Sequence, residues 1–475
     1  MEMLWDITKA LFLWILDNLV FINIILSILI IFFQRRNPTA VWTWLLVLYF
    51  IPIVGFLLYL VVGQDYRKSR MFKMKEIEDE IKYAVRRQEE SIYRRKLRLK
   101  TPEMERFQSL ILYNLNTAEA VLTDNNDIRI FTDGREKFDA LMEEMKGAKN
   151  YIHLQYYIIR DDELWKEIEE ILLKKAAEGV EVRVLFDSMG CRKMREKSWR
   201  RLEKGGVEVA EFFPAFLGQF QFRVNYRNHR KIAVIDGRVG FVGGFNIGRE
   251  YIGLDTKKFG YWRDTHLCIE GSAVTSLAVR FVLDWNYAAK ENLFLEDRLF
   301  EIPEDERDGR SVSSGPDSKY DSVRDNYLKM IQMAEHHIYL QTPYFIPDQA
   351  ILDSLKIAAK SGVDVRIMIP CKPDHPFVYW ATYSYLGEMA AAGAKCYTYQ
   401  NGFLHAKTLT IDGLVSCVGT ANMDIRSFQL NFEVNATIYS ERTSQKLRDA
   451  FENDMLHCQE VTEESYRQRG LSIRI

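Results

Sequence analysis

Residues 228–246 read NHRKIAVIDGRVGFVGGFN, and residues 404–422 read LHAKTLTIDGLVSCVGTAN. Both fit H-x-K-x4-D-x6-G-[GT]-x-N. The shared residues are His229, Lys231, Asp236, Gly243 and Asn246 in one stretch. In the other they are His405, Lys407, Asp412, Gly419 and Asn422. One H-x-K-x4-D is a weak signal; two, each followed by Gly and Asn at the same offsets, are a duplication. His and Lys two apart on a strand share one face. Each Asp stands five residues past its Lys. On a continuing strand it points to the opposite face, which suits a structural carboxylate.

Working outward, the repeat widens. KNYIHLQYYIIRDD (149–162) parallels EHHIYLQTPYFIPD (335–348), with apolar alternation running into Gln155 and Gln341. An amphipathic helical pattern follows in each copy and ends at Gly179 or Gly362, as a C-terminal cap would. Each then enters a β-branched run, VEVRVLFD or VDVRIMIP. Strand–helix–strand twice over predicts an α/β chain with largely parallel pairing. An acidic stretch rich in Ser, Gly and Pro separates the copies, EIPEDERDGRSVSSGPDS. The reading is a first half over 106–295, a linker over 296–320 and a second half over 321–475. Two halves packed about a pseudo-twofold would bury both sheets and bring the two motif copies to one seam.

That seam would hold two imidazoles, two ammoniums and two Asn amides. It is cationic and rich in donors, and it contains no evident metal-ligand set, so neither metal nor cofactor is expected. It suits a phosphodiester. Lys231, Lys407, Asn246 and Asn422 would hold the non-bridging oxygens. One histidine would attack phosphorus. The other would protonate the leaving alkoxide, then deprotonate the incoming alcohol or water. Attack needs a neutral imidazole, so carboxylates should orient the rings; Glu250 and Glu433 are the candidates. Trp262, Arg263, Asp264 and His266 in YWRDTHLCIEG suit either site lining or structure. Arg223, Arg227 and Arg230 make a basic patch beside His229. His153, His336 and His337 read as packing or surface residues. No phosphate loop or dinucleotide fingerprint is present.

The chain has 475 residues, with 64 Lys and Arg against 66 Asp and Glu. A net charge of −2 gives no basic coat, so nucleic acid is not an expected partner. Charged residues at 27% and hydrophobic ones at 47% exclude wholesale disorder. Six cysteines without a C-x-x-C suit a reducing compartment. A mean hydropathy of −0.21 conceals an apolar end. Leu11–Phe33 is almost wholly apolar, and Val41–Val62 carries no charge. The reading is a first membrane span within 1–33, a loop over 34–40 and a second span over 41–63. Trp42 and Trp44 sit where an interfacial belt would, and Pro52 and Gly55 kink the second span. Residues 64–105 form a basic juxtamembrane segment; Arg67–Lys100 holds 13 Lys and Arg against 6 Asp and Glu. It reads equally as a helix on anionic headgroups or as a solvated one. The charge bias places the large part in the cytoplasm.

The doubled motif resembles the phospholipase D superfamily. The N-terminal spans, RRNPTAVWTWLLV, QTPYFIPD, SGPDS and GTANMDIRSFQLNFE resemble bacterial cardiolipin synthases within it. The resemblance implies two phospholipase D-like α/β/α sandwich halves behind two transmembrane helices. It implies a multi-pass protein of the bacterial cell membrane. It implies transfer from one phosphatidylglycerol to another through a phosphatidyl-histidine, giving cardiolipin and glycerol. It carries His229, Lys231, Asp236, His405, Lys407 and Asp412 over as catalytic, with His229 as nucleophile and His405 as acid and base. Gly244 and Thr420 depart from the superfamily, where Ser often stands. The alternatives are a hydrolytic phospholipase D or another headgroup exchanger, such as a phosphatidylserine-forming enzyme. Intact His and Lys in both copies argue against an inactive lipid-binding scaffold. The sequence carries no reading of oligomeric state.

Overall fold

A computed structural model describes residues 5–6, 9–10, 13–14, 17–33, 38–59, 105–123, 126–214, 226–291, 293, 310–314, 320–372 and 374–469. The chain divides into two compact units. One is Met1–Arg70 with Ala215–Tyr226; the other is Met71–Pro214 with Arg227–Ile475.

In the smaller unit, helices Leu19–Phe33 and Pro38–Phe50 meet through Ile30 and Leu48, both buried. Asn23 Nδ2 donates to the Leu48 carbonyl at 3.2 Å. Pro52 interrupts the second apolar run as expected. The helix stops at Phe50, Ile53 takes a φ of 62°, and a short helix resumes over Val54–Leu58. Phe21, Ile28, Trp42 and Tyr49 point outward and are exposed. No described helix is long and apolar enough to cross a membrane by itself. The two expected spans are described only in part. Of the expected basic segment 64–105, all but Glu105 lies outside the described residues, as does Arg223.

The larger unit contains two sheets built on one plan. In the first, the order is Asp127–Phe131, His266–Glu270, Val239–Gly243, Ile232–Ile235, Tyr151–Tyr156, Glu181–Asp187, Glu208–Phe212. In the second it is Arg310–Ser314, Asn431–Tyr439, Val415–Gly419, Thr408–Ile411, His337–Gln341, Asp364–Pro370, Lys395–Tyr399, Cys458–Glu460. The pairing is mixed and not largely parallel. Along these two strand orders, only the strand–helix–strand repeats run parallel. The reason lies inside the motif. Asp236–Gly237 (φ 52° and 64°) and Asp412–Gly413 (φ 52° and 67°) are two-residue turns with both φ values positive. Such turns fold each motif strand straight back into an antiparallel hairpin.

Side chains alternate across each sheet and make it the middle of a sandwich. Ile152, Leu154 and Tyr156 join a core with Phe138, Leu141, Leu164 and Trp165 from helices Gly134–Gly147 and Glu163–Ala177. On the other face His153 stacks on Phe281 of helix Ala273–Ala289 at 4.4 Å. The second half repeats this, with Ile338 and Leu340 in one core and Tyr339 stacked on Phe451 of helix Glu441–Met455. The helices start as read: Asp162 and Asp348 cap them through the N–H groups of Trp165 and Ile351. Gly179 and Gly362 follow their ends with φ of 87° and 95°.

Two boundaries differ from the sequence reading. Helix Gln108–Ala118, expected to open the first half, packs into the second. Phe107, Leu110, Ile111 and Leu115 bury against Val323, Tyr327 and Ile331, and Asn114 Nδ2 donates to Asn326 Oδ1 at 2.7 Å. Within the expected linker, Arg310–Ser314 pairs with Asn431–Tyr439 and covers what would be an open sheet edge. The rest of that linker, apart from Tyr320, lies outside the described residues.

Candidate active site

The two halves exchange short strands where the motifs begin. Arg227–Asn228 pairs in parallel with Asn431–Phe432, and Phe403–Leu404 with Trp262–Arg263. The next residues continue the pattern. His229 N–H donates to the Phe432 carbonyl at 3.0 Å, and His405 N–H to the Arg263 carbonyl at 2.7 Å. Each histidine is therefore held by backbone of the opposite half.

Its ring is held the same way. His229 Nδ1 lies 3.0 Å from both carboxylate oxygens of Glu433. His405 Nδ1 lies 2.6 Å from Asp264 Oδ2. A carboxylate only accepts, so each Nδ1 carries the proton and each Nε2 keeps a lone pair. The carboxylates are fixed in turn. Thr420 Oγ1 donates to Glu433 at 2.6 Å and Asn431 Nδ2 at 3.1 Å. The Thr265 N–H donates to Asp264 at 2.8 Å. An aromatic ring flanks each imidazole, Tyr157 at 4.9 Å from His229 and Trp262 at 5.2 Å from His405.

Burial pushes both imidazoles down to about 4, against the pull of their carboxylates, and the nearby lysines add to the fall. Burial resists charge on Glu433 and Asp264 too, but the histidines and lysines more than offset it and hold both below the usual carboxylate range. Each pair is thus a carboxylate and a neutral imidazole. Lys231 and Lys407 are fully buried. Desolvation, joined for Lys231 by repulsion from Lys407, lowers them to about 7 and about 8 against the pull of nearby carboxylates. Lys231 Nζ donates to the His229 carbonyl at 2.5 Å, and Lys407 Nζ to that of His405.

His229, His405, Asn246 and Asn422 line one cleft of about 1110 Å³. Neither Lys231 nor Lys407 is among its lining residues. Asn246 is tied at both ends, accepting from the Ile158 N–H and donating to Tyr251 Oη. The Asn422 Oδ1 is buried without a hydrogen-bond partner among the described residues. Glu250 lines the cleft but orients no ring; it pairs with Arg160 at 3.3 Å. Asp264, not Glu250, serves His405. The repeat contained the signal for this. The N–H of Gly244 donates to the Thr265 carbonyl and that of Thr420 to the Val434 carbonyl, so Asp264 and Glu433 are equivalent positions. Asp236 and Asp412 do not reach the histidines. Asp236 accepts from the N–H groups of Lys149, Asn150 and Tyr151 at 2.8 Å. Asp412 does the same for Glu335, His336 and His337, and Arg106 adds a bond at 2.5 Å. They fix the turns, as their opposite-face position implies.

Two buried arginines, both from the first half, brace the seam. Arg230 binds Asp284 at 2.6 and 2.7 Å and donates to the Glu433 carbonyl at 3.1 Å. Arg263 binds Asp454 at 2.9 Å and donates to the Asp264 carbonyl. Gln155 and Gln341 donate to the same two aspartates at 2.5 and 2.7 Å.

The family model described as "Cardiolipin synthase, PLD-like domain" matches residues 141–259 and 327–455, and one described as "Phospholipase_D-nuclease N-terminal" matches 21–64. The chain is 47% identical over 456 residues to the cardiolipin synthase of Oceanobacillus iheyensis, covering 95% of each. It is 46% identical over 469 residues to the major cardiolipin synthase ClsA of Bacillus subtilis, covering 97% of this chain and 96% of that one. The chain belongs to the cardiolipin synthase family. Its fold also resembles the crystal structure of phosphatidylserine synthase from Haemophilus influenzae, with a TM-score of 0.58 at 15% identity, covering 79% of this chain and 96% of that one. Within the cardiolipin synthase family frame, the two departures from Ser become intelligible. A Cβ at Gly244 would stand 1.9 Å from Asp264 Oδ1, so the carboxylate takes that space. At the equivalent place Thr420 uses its hydroxyl to hold Glu433.

Proposed function

We propose that this chain is a cardiolipin synthase acting by two in-line transfers at one phosphorus. The crossed carboxylate–histidine pairs facing one cleft carry the reading. His229 Nε2 attacks the phosphorus of a first phosphatidylglycerol. The bond from phosphorus to the glycerol oxygen breaks, and His405, protonated in the complex, gives that oxygen its proton. Binding a phosphodiester brings negative charge against both imidazoles, which favours the protonated form of His405. Glycerol leaves behind a phosphatidyl-histidine. The headgroup hydroxyl of a second phosphatidylglycerol then gives its proton to neutral His405 and attacks phosphorus. The P–N bond breaks, His229 is restored, and cardiolipin departs. Lys231 and Lys407, buried beside the histidines, supply positive charge, and the Asn422 amide supplies a donor to the equatorial oxygens.

The chain is proposed to sit in the bacterial cell membrane through its N-terminal apolar runs, with the larger unit in the cytoplasm. The outward apolar side chains of helices Leu19–Phe33 and Pro38–Phe50 and the match over 21–64 support this.

The test uses purified full-length protein, phosphatidylglycerol labelled in the headgroup glycerol, and no added metal. Equal amounts of cardiolipin and free glycerol are expected; phosphatidic acid alone would overturn the transfer. His229→Ala and His405→Ala should each lower turnover by at least about a thousandfold. Full activity in either would sink the two-histidine scheme.

A further inference from the structure

Nine large apolar side chains of the larger unit are exposed among the described residues; one lines the catalytic cleft and five more stand within three residues in sequence of a lining one, of which Tyr261 has its hydroxyl bonded to Asp133. Phe377 is 76% exposed, Leu254 51%, Met189 and Ile425 42%, and Trp380 40%. Ile425 lines the cleft itself; the others adjoin residues that do, namely Arg192, Asp255, His375 and Val378. Phe377 and Trp380 form an edge-to-face pair at 5.3 Å on the first turn of helix Pro376–Ala391. The cleft lining around them is net cationic, with seven Lys and Arg against five Asp and Glu.

Aromatic tips, aliphatic neighbours and interleaved cations are what a surface needs to enter the boundary between headgroups and acyl chains of an anionic bilayer. The phosphatidyl-transfer reading supplies a reason for such a surface. Its substrates carry two acyl chains beside each phosphodiester, and every methylene drawn into water is unfavourable. A mouth pressed into the bilayer lets the diester reach the histidines while the chains stay behind. We propose that the rim of Met189, Leu254, Phe377, Trp380 and Ile425, with Arg192, Lys193 and Lys258, docks onto an anionic bilayer and delivers headgroups to the cleft. The inference rests on that transfer reading for the choice of a lipid occupant.

Full-length protein is reconstituted in phosphatidylcholine vesicles. Turnover is measured on long-chain phosphatidylglycerol in the vesicles and on short-chain phosphatidylglycerol dissolved as monomer. The double variant Phe377→Ser/Trp380→Ser, and separately Leu254→Ser, should lower the ratio of vesicle to dissolved turnover at least tenfold. Leu456→Ser, exposed but away from the cleft mouth, should leave the ratio as it is. Equal losses on both substrates would overturn the docking rim, because the residues would then be shaping the cleft. So would an unchanged ratio, or a rim variant whose particle mass halves, which would make a second copy the occupant. If the parent chain yields only phosphatidic acid from both substrates, the transfer reading fails while the ratio still decides the rim.

Discussion

Gly244 leaves room for Asp264, and that space decides how His405 is aimed. Gly244→Ala should push the carboxylate off Nδ1 and lower kcat by about a hundredfold or more, with the fold retained. Measurement of kcat alongside circular dichroism checks this, and wild-type kcat would show that the carboxylate has slack. Four histidines, His153, His229, His266 and His405, are buried, and burial holds each below its ordinary value. A depressed imidazole favours the folded state fully above its unfolded pKa near 6.5. That contribution is lost as pH falls, toward about 4 for His229 and His405. His266 is the informative one, since neither ring nitrogen has a hydrogen-bond partner among the described residues and Asn435 takes its place in the other half. His266→Asn should make the fall in melting temperature between pH 6.5 and 4 shallower than in the parent. An equal slope would mean that His266 is not protonated on unfolding.

Among elements, the motif hairpin carries the most information. Its strand holds His and Lys, and its Asp–Gly turn sends the chain back. The shared face of His229 and Lys231 was legible from spacing two. The turn was legible too, since Asp-Gly between apolar runs is a hairpin signal, yet the parallel pairing of the neighbouring repeat masked it. Position five past each lysine puts Asp236 and Asp412 on backbone N–H groups away from the histidines, while the resemblance implies a catalytic role for both. Asp236→Ala removes three charge-assisted bonds and should destabilise the fold by roughly 2–3 kcal/mol. Activity should follow the folded fraction in denaturant titrations. A fully folded variant with activity down by orders of magnitude would place Asp236 in the reaction.

Across the whole molecule, the pairing of His405 with Asp264 was the least legible feature. Those residues are 141 apart, and only the exchange of short strands between halves joins them. Glu433 was found because it follows its own motif closely, although it serves the other half's histidine. The halves are also entangled in their cores. A fragment beginning at residue 310 lacks Phe107, Leu110, Ile111 and Leu115, all fully buried. Each such loss costs about 2–5 kcal/mol, and four together are comparable to the roughly 5–15 kcal/mol of a typical domain. That fragment should be insoluble when expressed alone and should be rescued by residues 105–120 fused ahead of it. A soluble, cooperatively melting 310–475 would refute the shared core.

The crossed carboxylates also set an order in time. Translation delivers His229 204 residues before Glu433, the carboxylate that orients this imidazole. Until Glu433 is added, the emerging polypeptide carries this imidazole without its orienting partner. A chain still on the ribosome holds neither crossed pair complete until synthesis reaches the second half of the duplication.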